Sequence, residues 1–167
     1  MKIDASHPAL GLARDLFSAE GWEITDALGR DDEAVVVELR RSGRRLLFVS
    51  VARDGAWHRT GLAIGNDEAV PERRRPLTVA GSELDPVGVQ GSGWPDPDGT
   101  PPETTWMTIN GFAAADVESI TVSTGIDDHE ATLGPDGSVL TLVRNRRHQP
   151  LRVHLHLTTG KTREASV

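Results

Sequence analysis

The sequence predicts a mainly β protein that begins with a single helix. Apolar residues recur at helical spacing only near the N-terminus. The later apolar runs are short, rich in β-branched residues and separated by glycine, proline, asparagine and aspartate. With 167 residues, of which 37% are hydrophobic and 26% are charged, the chain has the size and composition of a folded protein that can bury a proper core.

The composition also argues against several classes of protein. No stretch approaches the ~20 apolar residues that a membrane-spanning helix needs, so no membrane partner is expected. Asp4 and Asp15 interrupt the N-terminal region where a secretion signal would be apolar. The lack of cysteine excludes disulfides and thiolate metal sites and agrees with a cytoplasmic location. A net charge of -7 makes nucleic acid an unfavourable partner.

The first predicted element is an amphipathic helix over residues 8–19. Ser6 is the expected N-cap, and Gly21 follows the last apolar residue as a stop signal. The apolar positions at helical spacing are Leu10, Ala13, Leu16 and Phe17.

An antiparallel meander is predicted next, with tight turns at Ser42-Gly43 and Asp54-Gly55. Its strands are expected near residues 22–24, 34–39, 46–51 and 57–64. Both faces of the central strands are apolar, so each face must be covered. We expect the helix to cover one face and the rest of the chain, or a partner, to cover the other.

Three segments are predicted: the helix and meander at 1–66, a proline- and glycine-rich connector at 67–105, and a second β region at 106–167. The alternative is one compact domain. Short strands are expected in the connector at 77–80 and 87–90, and its most loop-like part is 91–103. The strands expected after it are 106–110, 119–124, 130–133, 138–144 and 151–157.

The second β region carries a pattern of core and turn residues. The residues are Trp106, Gly111, Ala113, Asp116, Val117, Ile120, Val122, Ala131, Asp136, Gly137, Leu140, Pro150 and Thr159-Gly160-Lys161. This pattern resembles the C-terminal β-sandwich segment of small uncharacterised actinobacterial proteins. The resemblance implies an immunoglobulin-like β-sandwich after the meander, and it implies no activity.

Arginine clusters are the most unusual feature of the sequence. They are Arg40, Arg41, Arg44 and Arg45; Arg73, Arg74 and Arg75; and Arg144, Arg146 and Arg147. The first and third clusters fall at predicted hairpin tips, where guanidinium groups exposed together suit phosphate or carboxylate groups of a partner. The alternative is charge that keeps the protein soluble and blocks edge pairing. Trp94, between Gly93 and Pro95, is the tryptophan expected to be exposed for binding.

His154 and His156 lie two apart in a predicted strand, so both imidazoles project from one face and can supply two ligands to a metal. Asp127, His129 and His148 are conceivable third ligands. The alternative, which the sequence favours, is an ordinary solvated strand face.

Other motifs are weaker. Residues 127–130, Asp-Asp-His-Glu, can form an acid-base pair or a charged loop. Asp96, Asp98, Gly99 and Glu103 depart from EF-hand spacing. Gly88, Gly91 and Gly93 are followed by Trp94-Pro95 rather than by a helix, which disfavours a phosphate loop.

The function expected from these patterns is a non-enzymatic binding or protein-interaction module without a cofactor. A homo-oligomer is one way to cover leftover apolar surface. The alternatives are a metal-dependent enzyme centred on His154 and His156, and an accessory protein that contacts nucleic acid through the arginine tips.

Overall fold

The computed structural model describes residues 3–60, 64–65, 84–92 and 99–165, and of residues 64–65 and 84–92 it describes the backbone alone. Helix α1 spans Pro8–Phe17 and continues into a 3-10 turn at Ser18–Glu20. The strands are β1 (Glu23–Arg30), β2 (Ala34–Arg41), β3 (Arg44–Arg53), β4 (Ala56–Arg59), β5 (Ile64–Gly65), β6 (Leu84–Ser92), β7 (Thr104–Ala113), β8 (Val117–Ser123), β9 (Asp128–Glu130), β10 (Thr132–Leu133), β11 (Val139–Leu140), β12 (Val143–Arg146), β13 (Arg152–Leu157) and β14 (Thr162–Ala165).

All the strand pairs in the described part are antiparallel. The first sheet has the order β1-β2-β3-β4, with β5 also paired to β3. The others are β12-β7-β6, β14-β13-β8-β9 and the two-stranded β10-β11. The prediction of a mainly β protein with one N-terminal helix is therefore confirmed. No helix within the described ranges has the length and apolar character needed to cross a membrane.

Helix α1 begins one residue later than the predicted cap implies. His7 is the N-cap, and its Nδ1 accepts a hydrogen bond from the backbone N–H of Ala9 at 3.2 Å. The prediction of Ser6 as the cap is wrong, because its hydroxyl donates to the side chain of Asp4 instead. Gly21 adopts φ 79° and ends the helical segment as expected.

The two predicted hairpin turns are confirmed. Ser42 and Gly43 have φ angles of 48° and 76°, and Asp54 and Gly55 have 51° and 75°. Positive φ at both central residues is the type I′ geometry that matches the twist of paired strands. The first turn places Arg41 opposite Arg44 across β2 and β3.

Both faces of the first sheet are covered by this chain. Helix α1 covers one face, where the buried cluster is Ala9, Leu10, Ala13, Val35, Val37, Leu39 and Phe48. On the other face the buried cluster is Leu28, Ala34, Val36, Leu47, Val49, Trp106, Leu140 and Leu142. The second cluster draws on residues far apart in sequence, so the central strands of this sheet need no second copy to bury them.

A third core lies in the second β region. Ile109 and Val143 from the β12-β7-β6 sheet share it with Val122, Val153 and Leu155 from the four-stranded sheet. The expected strand at 130–133 divides into β9 and β10, and the one at 138–144 divides into β11 and β12. Strand β14 was not expected, because its sequence, Thr-Arg-Glu-Ala, lacks an apolar alternation.

Some predictions fall outside the described residues. These are the strand at 77–80, the cluster Arg73, Arg74 and Arg75, and the loop residues Gly93, Trp94, Asp96 and Asp98.

Candidate functional site

The first arginine cluster is divided between the interior and the surface. The prediction that Arg45 is exposed is wrong, because its side chain is 0% exposed. Arg45 lies opposite Arg40 near the start of β3, and from there its side chain enters the protein rather than projecting from the tip. The turn chemistry fixed the hairpin, but it did not fix which face each arginine occupies.

Arg45 is held by three acceptors. Its Nε donates to Glu38 Oε2 at 2.7 Å, its Nη1 to Asn110 Oδ1 at 3.0 Å and its Nη2 to the carbonyl of Val139 at 2.6 Å. Burial lowers the pKa of Arg45, and the charge of Glu38 opposes that shift. This guanidinium ties the meander to β7 and β11, and each of its three nitrogens already has an acceptor.

Arg40 lies at the same level but reaches the surface, with 29% of its side chain exposed. Its Nε donates to Glu38 Oε1 at 2.7 Å, and its Nη1 donates to Asp136 Oδ2 at 2.6 Å. Burial raises the pKa of Asp136, but hydrogen bonds from Arg40 and Ser138 outweigh burial and lower that pKa overall. The two buried carboxylates therefore fix the Arg40 guanidinium in one orientation.

A cleft of about 520 Å³ opens above Arg40, and we call it the Arg40 cleft. Its lining residues are Thr25, Asp26, Glu38, Arg40, Gly43, Thr132, Gly134, Pro135, Asp136, Ser138 and Leu140. The volume lies within the range of small-ligand sites.

The other two arginines of this cluster stay at the surface. The guanidinium carbon of Arg41 lies 4.8 Å from the ring centroid of Trp22, and Arg41 Nη1 donates to the carbonyl of Glu20 at 2.7 Å. Arg44 is exposed, and no side chain in the described part of the protein pairs with it. The four arginines therefore do not form one exposed anion site.

The prediction of a hairpin tip at residues 144–147 is wrong, because β12 pairs with β7 whereas β13 pairs with β8 and β14, so the turn after β12 connects two different sheets. Arg144, in β12, is also engaged internally. Its guanidinium stacks over Trp106, with 4.9 Å between the guanidinium carbon and the ring centroid, and it forms an ion pair with Glu33. Its backbone N–H donates to Asp127 Oδ2 at 2.8 Å. These contacts make Arg144 a half-buried structural residue.

Arg146 and Arg147 have the exposure that the sequence predicted. Both are exposed, and neither forms an ion pair within the described ranges. They flank a cleft of about 390 Å³, which we call the Arg146 cleft. Its lining residues are Pro101, Pro102, Thr105, Met107, Arg146, Arg147, His148 and Gln149. This cleft combines an apolar floor with two free guanidinium groups and an imidazole.

The backbone of the turn after β12 sets the position of these side chains. His148 adopts φ 62°, a left-handed conformation that non-glycine residues seldom take. Gln149 N–H donates to the carbonyl of Arg146 at 3.2 Å, and Arg147 N–H donates to the carbonyl of Glu103 at 2.9 Å. The turn is thus tied both to itself and to the segment that leads into β7.

His154 and His156 do lie on one face of β13, opposite the buried Val153 and Leu155. Both ring nitrogens of His156 are within hydrogen-bond distance of hydroxyls: Nε2 lies 3.0 Å from Thr121 Oγ1 and Nδ1 lies 3.2 Å from Thr162 Oγ1. These threonine contacts fit a structural strand face.

The proposed third metal ligands are not gathered around this pair. His129 is paired with Val122, so it faces the core, whereas His154 faces the other side of the sheet. Asp127 is bound to Arg30 at 2.8 Å. Across the described residues, no group of three potential metal ligands is found.

The acid-rich segment 127–130 is partly structural. Asp127 Oδ1 accepts from Arg30 and Oδ2 accepts from the backbone of Arg144. His129 is half-buried, and its Nε2 has no hydrogen-bond partner in the described part. Burial, followed by the charge of Arg30, lowers the pKa of His129. Both oxygens of Asp127 already accept hydrogen bonds, and Asp128–Glu130 form strand β9 against β8, so the segment is structural and is a strand rather than the expected loop.

Two further motifs are placed by the structure. Gly88 and Gly91 lie inside β6, which is a strand and not a phosphate-binding turn. Glu103 is exposed, and its carbonyl supports the turn at Arg147.

Sequence reasoning missed the carboxylates that organise Arg40 and Arg45. Glu38 is an acidic residue inside the apolar run Ala-Val-Val-Val-Glu-Leu, and that position signals a buried charge that needs a cationic partner. Asp136 gave no such signal, because Pro-Asp-Gly is an ordinary turn sequence.

Comparisons with protein-family models, curated proteins and solved structures find no match to this chain.

Proposed function

We propose that this protein is a non-enzymatic interaction module that binds an acidic segment of a partner protein in the Arg146 cleft. The observation that carries the proposal is the pair of exposed guanidinium groups, Arg146 and Arg147, without an internal anionic partner in the described part. Paired guanidinium groups suit carboxylate and phosphate oxygens.

Other arginines of the first and third clusters support this choice by contrast. Arg45 and Arg40 are bound to buried carboxylates, and Arg144 is bound to Glu33 and Trp106. Arg44 is exposed alone at its turn, whereas Arg146 and Arg147 are exposed together beside a cleft. Because the whole chain carries a net charge of -7, this cleft is a local basic site on an acidic protein.

The floor of the cleft favours a protein segment over a polynucleotide. Pro101, Pro102 and Met107 offer apolar contact to aliphatic parts of a peptide. A nucleic acid needs many phosphate contacts for useful affinity, and the acidic remainder of the chain opposes its approach. An acidic peptide needs only the local positive charge of Arg146 and Arg147 to bind.

The test is binding of a fluorescein-labelled twelve-residue peptide of alternating glutamate and alanine, followed by anisotropy. Replacing Arg146 and Arg147 together by glutamine should raise the Kd at least about fivefold, because two charge-assisted contacts are lost. Binding to the unmodified protein should also weaken as salt rises.

The matched control is the double variant Arg59→Gln and Lys161→Gln, which removes two exposed cations from other strands and turns. Equal weakening in both double variants, or no binding of the peptide to the unmodified protein, would contradict the proposal. Tighter binding of a single-stranded oligonucleotide than of the peptide would favour the nucleic-acid alternative. A dimer in light scattering that only the Arg146/Arg147 variant loses would identify a second copy as the partner.

The proposal also takes residues 106–167 as an immunoglobulin-like sandwich in a cytoplasmic protein. Support for the sandwich comes from the two antiparallel sheets that share one core through Ile109, Val122 and Val153. Support for the compartment comes from the cysteine-free sequence.

A further inference from the structure

The Arg40 guanidinium lines the Arg40 cleft and has donors without a partner in the described part of the protein. A guanidinium carries five N–H groups, and Arg40 uses its Nε and one Nη1 hydrogen on Glu38 and Asp136. Its Nη2 has no partner in the described part of the protein. Because two buried carboxylates hold the group, its free edge is oriented before any ligand arrives.

The acceptors around Arg40 are already occupied. Glu38 Oε1 accepts from Thr25 and Arg40, and Glu38 Oε2 accepts from Arg45. Asp136 Oδ1 accepts from the N–H of Ser138 at 3.0 Å, and its Oδ2 accepts from Arg40. The base of the cleft thus offers donors, and a ligand bound there must supply an oxygen acceptor.

The rim of the cleft offers the opposite chemistry. Asp26 is exposed, and its Oδ1 accepts from the backbone N–H of Ala27 at 2.8 Å. That bond fixes the carboxylate, and its other oxygen has no partner within the described residues. Pro135 and Leu140 add an apolar wall to the same cleft.

The charges in the cleft favour a ligand that carries one negative and one positive group. Arg40 and Arg45 are matched by Glu38 and Asp136, and Asp26 adds one negative charge at the rim. A polyanion would be repelled by Asp26, and a simple cation would meet the Arg40 edge. A zwitterion with separated charges satisfies both ends.

We propose that the Arg40 cleft binds a small zwitterionic amino acid, with its carboxylate on Arg40, its ammonium group on Asp26 and an apolar side chain against Pro135 and Leu140. This site is separate from the Arg146 cleft, and it does not rest on the proposed interaction with an acidic partner.

The experiment is a titration of the ¹⁵N-labelled full chain with three probes: leucine, its deaminated analogue 4-methylpentanoate, and its decarboxylated analogue 3-methylbutylamine. Leucine should cause saturable shifts in the amide signals of Thr25, Asp26 and Ser138. Each analogue should bind about three- to fivefold more weakly, because each lacks one ionic contact.

The variant Asp26→Asn tests the rim contact without disturbing the buried ion pairs, since asparagine keeps the oxygen that accepts from Ala27. It should weaken the binding of leucine about three- to fivefold, and it should not weaken the binding of 4-methylpentanoate, because that anion loses only the repulsion from Asp26. The matched control, Asp15→Asn on the exposed side of helix α1, should change neither ligand.

Three outcomes would overturn the proposal. They are no saturable shift at these amides with leucine up to about 100 times the protein concentration, equal affinity for leucine and 4-methylpentanoate, and saturable shifts confined to another part of the protein. Shifts around the Arg146 cleft alone would count against this site and would leave the acidic-peptide test unaffected.

Discussion

Arg45 is a fully buried cation whose three donor nitrogens all have acceptors. Replacing it by methionine keeps much of its volume but leaves Glu38 with one buried oxygen uncompensated. We expect the free energy of unfolding to fall by about 3–5 kcal/mol, the usual effect of removing one partner of a buried ion pair. Urea denaturation followed by circular dichroism will measure the change.

The control for Arg45 is its neighbour across one peptide bond. Arg44→Met removes the same functional group from an exposed position, so the free energy of unfolding should change by less than about 0.5 kcal/mol. If both substitutions cost the same, the buried network around Arg45 does not contribute as described.

Asp136 links stability to pH. Its pKa lies below the ordinary value of 3.8, because bonds from Arg40 and Ser138 outweigh the opposing effect of burial. A carboxyl group whose pKa is lower in the folded state stabilises the protein at pH values above its ordinary pKa. That stabilisation is lost as the pH falls below the ordinary pKa and passes through the folded-state pKa. Asp136→Asn should therefore lose less free energy of unfolding than the unmodified protein between pH 5 and pH 3, as measured by urea titrations at each pH.

Asp15→Asn provides the comparison for this pH dependence. Asp15 is exposed on helix α1. Its variant should follow the unmodified protein over the same pH range, and an Asp136→Asn profile identical to both would rule out the linkage.

At the scale of elements, the turn between β10 and β11 depends on Gly134. A Cβ built at this position meets the hydroxyl of Ser138 and lies 3.0 Å from Asp136 Oδ1. Gly134→Ala should therefore destabilise the protein by about 1–3 kcal/mol, because the added methyl group displaces side chains that hold Arg40. Thermal unfolding will show this as a lower Tm.

Gly11, in the middle of helix α1, is the matched position for the opposite result. A Cβ there meets no atom within 4 Å, so Gly11→Ala only adds helix propensity. It should stabilise the protein by about 0.5–1 kcal/mol. Destabilisation by Gly11→Ala, or unchanged stability in Gly134→Ala, would contradict the packing described at these two glycines.

Some helices and strands could be predicted from the sequence, and others could not. Helix α1 and the hairpins at Ser42-Gly43 and Asp54-Gly55 were predictable, because their signals are local: periodicity, glycine and turn residues. Strand β14 was not, since only its register on β13 makes Thr162–Ala165 a strand. The exposure of Arg146 agrees with the prediction, but the hairpin on which that prediction rested is absent, since β12 and β13 belong to different sheets.

The Arg40 cleft was beyond the sequence for a related reason. Its ion pair joins Arg40 to Asp136, residues that are 96 positions apart. Neither a period nor a turn motif encodes such a distance, and the packing of two sheets alone brings them together. The one local signal was Glu38, an acidic residue inside an apolar run. The sequence does not show which of the nearby arginines pair with it.

At the scale of the whole molecule, one core cluster holds distant parts of the chain together. Leu142 is 0% exposed, and it packs in the cluster that contains Val36, Leu47 and Trp106. Arg45 adds a buried bond to Asn110 across the same boundary. Unfolding should therefore be cooperative across the meander and the second β region, because neither can expose this cluster alone.

Leu142→Ala tests this coupling, with a loss of about 2–5 kcal/mol in the free energy of unfolding expected for a buried leucine. The loss should be shared by both regions, so hydrogen exchange in increasing urea should expose peptides from β2 and from β8 at the same, lowered urea concentration. The control is Ile126→Ala, at a residue that is 39% exposed. It should change the free energy of unfolding of either region by less than about 0.5 kcal/mol. If β8 becomes exposed at a lower urea concentration than β2, the two regions unfold independently. The shared cluster then does not couple their unfolding.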